Sequence, residues 1–358
     1  MDNALPATRR GNPRWVNRPE GSTWGDFGPD DHLGRLNLLT AQKVREGLAE
    51  VLDCNTFALS LPLDLPGGTA LNPNRLPPVL RPNLRGGNVN FNCRLDDIHP
   101  GSSDVMNDDL AVLHLQYSTQ WDALSHVGSL FDADGDGIPE PVYYNGFRAG
   151  IEVRGPEDAE DAGFDTLHRH TTSSAGVLGI GSMAERPVQG RAVMIDLAAH
   201  LGEAHTVVGF DTLQRIMETD AIEVEPGDIL VLHTGYAEKV LSMGGNPDPA
   251  ILHHYGAVLD GRDAKLLRWI TDSGVAAIAA DNYAVELYPA TPAPAPYSVL
   301  PLHEHCLFKL GVHLGELWRL SPLAAHLRKS GRSRFLLTAA PLNLPGAAGS
   351  PLTPIATT

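Results

Sequence analysis

A single mixed α/β domain is predicted for this chain, and three features of the sequence carry the prediction. Apolar runs of strand length, Arg191–Ala198, Asp228–His233, Val275–Ala280 and Phe335–Ala340, alternate with helical patterns near Asp211–Glu218 and Arg262–Asp272. That alternation belongs to a mixed α/β fold rather than to a sandwich or a bundle. With 358 residues the chain is long enough to bury a large core, yet no linker or break in composition divides it. Its 36 Gly and 28 Pro residues point to many loops and short elements.

Residues 1–20 are polar, carry Arg9, Arg10 and Arg14 and lack periodicity, which predicts a flexible or draped arm ahead of a main domain over 21–358. Thr40 is placed to cap a helix in which Val44, Leu48, Val51 and Leu52 share one face. Residues 56–63, TFALSLPL, alternate like a half-buried strand, and the Pro-, Asn-, Arg- and Gly-rich stretch 66–88 reads as a long loop of the kind that usually serves function. Leu302–Leu310 reads as a helix ended by Gly311. No repeat period or heptad is present.

Lys and Arg number 27 against 43 Asp and Glu, a net charge of −16 that repels phosphate backbones and anionic headgroups. Nucleic acid and membranes are therefore not expected partners. No apolar run approaches the ~20 residues of a bilayer span, and the opening MDNALPATRRGNPRW lacks a signal peptide's apolar segment, so a cytoplasmic location is expected. Cys54, Cys93 and Cys306 are widely spaced and odd in number, which supports neither a disulfide framework nor a thiolate zinc site and predicts three small core fillers.

Two clusters can carry chemistry. In Gln116–His126 an extended backbone would turn Gln116, Ser118, Gln120 and Asp122 to one face, with His126 four residues on; the plainer reading is a polar edge strand whose Asp122 caps a helix. His303-Glu304-His305 is followed by His313 and Glu316, but Leu307 stands where a helical H-E-x-x-H zinc motif needs its second histidine. Asp132-Ala-Asp-Gly-Asp-Gly137 imitates the start of a calcium loop, yet its twelfth position is Tyr143 rather than Glu, so an acidic turn is the alternative. Asp30, Asp31 and Asn37 line a pocket or make turns. Gly179 and Gly181 lack a complete dinucleotide fingerprint, and there is no G-x-S-x-G elbow. No nucleotide cofactor is expected.

Taken together these stretches resemble the cyclase family of metal-dependent hydrolases, which includes the bacterial kynurenine formamidases and isatin hydrolases. The family's hallmark is H-x-G-T-H-x-D-x-x-x-H. Thr119, Asp122 and His126 match it, and Gln116 and Gln120 stand where the family has two metal-ligand histidines. The later His305 and Glu316, in HEHCLFKLGVHLGELWRL, resemble the family's second pair. WGDFGPDDHLGRLNLLT, VYYNG, GRAVMIDLA, PGDILVLHTGYAE, AAIAADN and APLNLPGAAGSPLTPIA extend the match, in order, over nearly everything after residue 20.

The resemblance implies a swivelling β/β/α fold and hydrolysis of an amide, formamide, lactam or lactone of a small molecule by metal-activated water. It implies a metal set of Asp122, His126, His305 and Glu316 with Gln120, and catalytic roles for His126, His305 and Asp122. Gln116, Thr119, Gln120, Trp121, Tyr144 and Asn145 are expected against substrate, although a core position is equally open to Trp121. The ion expected is Mn or Zn, and an amide oxygen from Gln moves the preference towards Mn, Mg or Ca. A homo-dimer or tetramer is implied as well. The double Gln also motivates a metal-free cyclase or dehydratase that uses His, Asp and Glu as acid and base in the same pocket, and a ligand-binding scaffold is the non-enzymatic alternative.

Overall fold

The computed structural model describes residues 14–163 and 171–358. Its centre is a nine-stranded mixed sheet. In chain order the strands are β1 (Thr56–Ala58), β2 (Gln120–Asp122), β3 (Gln189–Asp196), β4 (Ile229–His233), β5 (Ala277–Ala280), β6 (His313–Glu316), β7 (Arg334–Thr338), β8 (Gly349–Pro351) and β9 (Ile355–Thr357). Their spatial order is β1-β9-β7-β3-β4-β5-β6-β2-β8. β3 to β6 run parallel, and antiparallel strands flank them on both sides.

The parallel strands are apolar on both faces because helices and loops cover both. Val193 and Ile195 join one cluster with Leu230, Leu232 and Ile278, packed under helices Phe210–Thr219 and Ala264–Ser273 through Leu213, Ile216, Leu266 and Ile270. Ala192 and Met194, one step out of phase, join Val231, Ala279, Phe335 and Leu337 on the other face, under helix Ser321–Ser330. Each fully buried aliphatic side chain of this kind contributes roughly 1.5–3 kcal/mol relative to exposure. The mixed α/β class expected from the alternation is the class observed; β3, β4, β5 and β7 lie within a few residues of the four predicted apolar runs, whereas β1 covers only Thr56–Ala58 of the stretch 56–63. Leu197 and Ala198, at the end of the first run, already belong to the short helix Leu197–Leu201.

Three expectations are corrected. Thr40 does cap a helix, Ala41–Ala49, and accepts from Lys43 N–H, but the buried side is Lys43 and Gly47, while Leu48 and Leu52 face solvent. The helix lies so close to β3 that a Cβ at Gly47 would meet the Gly190 and Arg191 backbone at 2.8–2.9 Å, so a glycine rather than an apolar stripe makes the contact. The stretch read as loop to residue 88 is a loop only to its middle. From Val79 it forms two-stranded ribbons, Val79–Pro82 against Asp109–Val112, Leu84–Arg85 against Asn88–Val89, and Cys93–Arg94 against Val105–Met106. Only Cys306 is a buried filler, since Cys54 is exposed and Cys93 half-buried.

Residues 14–17 are draped on the body: Arg14 lies 4.0 Å over the Phe147 ring, Trp15 donates to Asn145, and the Val16 and Asn17 N–H groups reach Ala133 O. The remainder of the predicted arm, residues 1–13, lies outside the described residues.

The edge of the parallel core is locked by charge. Asp228, fully buried, takes Arg191 in a two-pronged pair at 2.8 and 3.0 Å and Lys43 at 3.1 Å, and it also accepts Glu225 N–H. Removing the carboxylate takes away the acceptor that the two cations share and leaves Arg191 with Glu225 and Lys43 with Glu46, each at 2.7 Å. We expect Asp228→Ala to lower unfolding free energy by about 1–3 kcal/mol, read in denaturant melts as a lower midpoint at unchanged slope.

Candidate functional site

The candidate site grows from one pairing. β2 and β6 are antiparallel with Gln120 opposite Glu316 and Trp121 opposite Gly315. Side chains alternate along a strand, so Gln120, Asp122 and Glu316 share one face and Trp121 takes the other. There Trp121 packs edge-on against Trp318 at 4.9 Å and donates to Ala339 O. Position 315 must be glycine, because a Cβ would come within 2.9 Å of both indoles.

The third participant arrives from helix Pro301–Leu310, whose last seven residues are π-wound. Glu286, buried beneath its first turn, accepts Leu302 N–H and His303 N–H, each at 2.9 Å, and His303 Nδ1 at 2.8 Å. A carboxylate at a helix N-terminus satisfies orphan amides and favours the dipole. The same contact fixes the imidazole, so that Nε2 lies 3.3 Å from Glu316 Oε1 and 3.9 Å from Asp122 Oδ2. One ligand atom each from Asp122, His303 and Glu316 lies within 4.8 Å of the other two.

Gln120 Nε2 sits between the carboxylates, 3.2 Å from Asp122 Oδ1 and 3.2 Å from Glu316 Oε2. His126 stands at the edge, its Nε2 3.8 Å from Asp122 Oδ1 and its side chain 22% exposed. Burial, reinforced by the Glu316 charge, raises the Asp122 carboxyl despite the nearby histidines. For Glu316 burial is outweighed by the His303 hydrogen bond and charge, which hold it low. Burial also opposes charge on His303, but its bonds to Glu286 and Glu316 prevail and raise it to about 10. Asp122 Oδ2 and Gln120 Oε1 are buried without a hydrogen-bond partner. Two carboxylates, an imidazole and the unpartnered Gln120 carbonyl oxygen form a donor set that fits a divalent cation such as Mn or Zn.

The structure thus brings together Gln120, Asp122, His126 and Glu316, but not His305. That side chain lies two residues beyond His303, about 200° round a regular helix, where its Nε2 meets Thr271 Oγ1 at 2.9 Å. Burial there pushes it down to about 4. His303 occupies the place expected for it, and Glu286, from the turn containing left-handed Ala284 and Val285, is a participant that spacing did not reveal.

Several expected substrate contacts are committed elsewhere. The backbone is strand only from Gln120, so 116–119 do not alternate. The Thr119 hydroxyl accepts Leu61 N–H and donates to Leu317 O. Tyr144 donates to Asp31, and Asn145 bonds Trp15, Gly25 and the 28–31 carbonyls, bracing the N-terminal segment. Asp31 and Asn37 make a turn at Gly34. Trp121 is core. Gln116 lies against Gly349, and its carbonyl accepts Arg75. Asp132, Asp134 and Asp136 converge on the surface, where they accept backbone N–H groups of their own turn.

Among known proteins, the family model described as "Putative cyclase" matches residues 59–287. A crystal structure described as that of a novel cyclase is 31% identical, with a TM-score of 0.69 over 94% of this chain and 97% of that one. Isatin hydrolase A from Ralstonia solanacearum is 15% identical, with a TM-score of 0.52 over 87% of this chain and 94% of its own. An isatin hydrolase bound to the product analogue thioisatinate is 13% identical, with a TM-score of 0.51 over 88% and 98%. The last two are alike in fold. No curated protein matches the chain. Among the described residues no helix is long and apolar enough to cross a membrane.

If the cluster holds a cation, its histidines separate cleanly. Glu286→Gln should weaken Mn affinity about 10–100-fold by loosening His303, whereas His305→Asn should leave it unchanged, as measured by calorimetric titration.

Proposed function

Since the chain belongs to the cyclase family, we propose that it is a hydrolase that opens an amide, formamide, lactam or lactone bond of a small molecule, with a divalent metal held by Asp122, His303 and Glu316. The observation that carries this reading is the convergence of those three buried side chains, one of which, Asp122, has an oxygen without a hydrogen-bond partner. Bound there, a divalent ion supplies polarisation of the scissile carbonyl and a water of lowered pKa, towards ~7.

The chain's own residues do the rest. Glu286 fixes the His303 ring and leaves Nε2 facing the carboxylates. Gln120 holds Asp122 and Glu316 at a common spacing, and its carbonyl oxygen is a neutral, hard donor that favours Mn or Mg over Zn. His126 touches the cluster and is open to solvent, so it is the proton carrier: it takes a proton from the attacking water and returns it to the leaving nitrogen or oxygen as that bond breaks. Water adds to the carbonyl carbon, and the products are an acid and an amine or alcohol.

A second reading, a metal-free cyclase or dehydratase, draws on one observation: the Gln120 amide already bridges the two carboxylates through hydrogen bonds. Chelation separates the two. The hydrolase reading expects about one ion per chain, loss of formamide or lactam hydrolysis in chelator and recovery with Mn; full activity in chelator without bound metal rejects it. Asp122→Ala should abolish metal binding. His126→Ala should retain the metal and lower kcat by about 10²–10⁴-fold.

A further inference from the structure

A cleft of about 760 Å³ is lined by residues that neighbour the cluster along the chain, though by none of the cluster itself. Ser125, next to His126, and Gln116 belong to its wall. Residues 344–348 also line it and are tied to the segment carrying Asp122 by a hydrogen bond from Ala123 N–H to Ala348 O at 3.0 Å. A small carbonyl compound of the class proposed above would enter the site through such a space.

The charge of that lining runs against the rest of the molecule. The whole chain carries −16, yet among the described residues the cleft is lined by no Asp or Glu and by one cation, Arg154. The Arg154 backbone is pinned by reciprocal bonds with Ser174 at 2.8 Å each, and Nε donates to Ile151 O at 2.6 Å. Among the described residues it forms no ion pair, while its neighbour Arg148 is matched with Glu152. The Ser125 hydroxyl is buried with no hydrogen-bond partner, on a residue only 6% exposed. A buried hydroxyl without a partner is costly unless something meets it.

We propose that this cleft selects a carboxylate-bearing substrate, with Arg154 holding the carboxylate and Ser125 meeting a second polar group of the same molecule. The inference rests on the hydrolase reading for what happens next, but not for binding. Repulsion from the acidic surface is screened beyond about 8 Å at physiological ionic strength, so an approaching anion responds mainly to the local guanidinium. A planar guanidinium also suits a carboxylate geometrically, by paired N–H···O bonds. Acidic side chains in the wall would cancel this preference, and the described wall has none.

The test compares benzoate with its neutral near-isostere benzamide, each titrated into the full-length protein by NMR, first in chelator and then with Mn. The expected result is benzoate binding at least about fivefold tighter in chelator, a preference that Arg154→Gln abolishes while benzamide binding is kept. Ser125→Ala should weaken both probes. Equal affinities in wild type, or a benzoate preference that survives Arg154→Gln, overturns the proposal. So does a preference that appears only with Mn, because the carboxylate would then be binding the ion. Loss of hydrolysis with the chelator-phase preference intact would instead count against the metal mechanism alone.

Discussion

The pairing of β2 with β6 is the constraint on which the site depends. Placing Glu316 across from Gln120, with Asp122 two residues on, drives two carboxylates into an interior from which water is excluded. Burying even one such charge costs several kcal/mol, and two like charges add repulsion. The surrounding structure offsets this with the Gln120 amide between the acids and the His303 imidazole against Glu316. A cluster held at this cost is more readily understood as a cation site than as a structural device.

Glu286 shows how a distant residue becomes part of the arrangement. It caps the helix that carries His303 and also grips the ring, so backbone and side-chain positions are set by one carboxylate. The β2 backbone is fixed in a similar way: His313 Nδ1 lies 2.9 Å from Asp122 O, and the two indoles of Trp121 and Trp318 fill the reverse face. Core packing and site geometry are consequently not separable here. A change that shifted Trp121 would also shift Gln120 and Asp122 on either side of it.

The Gln120 position illustrates what a carboxamide between two carboxylates does physically. A carboxamide has both a donor and an acceptor end, and in this fold the donor end bridges the acids while the acceptor end is left without a partner. The same side chain can thus hold the carboxylates and offer a neutral oxygen. Gln116 is not equivalent, because the chain is bent before Gln120 and its side chain runs towards Gly349.

Much was legible in the sequence. The alternation of apolar runs with helical patterns determined the α/β class, because strands buried on both faces must read as continuous apolar segments. The family hallmark singled out Asp122 and His126, and Glu316 was marked by its position in the second stretch. What the sequence alone did not determine is which histidine joins them. His303 and His305 are chemically identical and two residues apart, and only the packing of their helix turns one towards Glu316 and the other towards Thr271. Glu286 was hidden for the same reason: its role depends on where a turn 17 residues upstream lies against that helix, and contacts between distant segments are fixed by the tertiary structure.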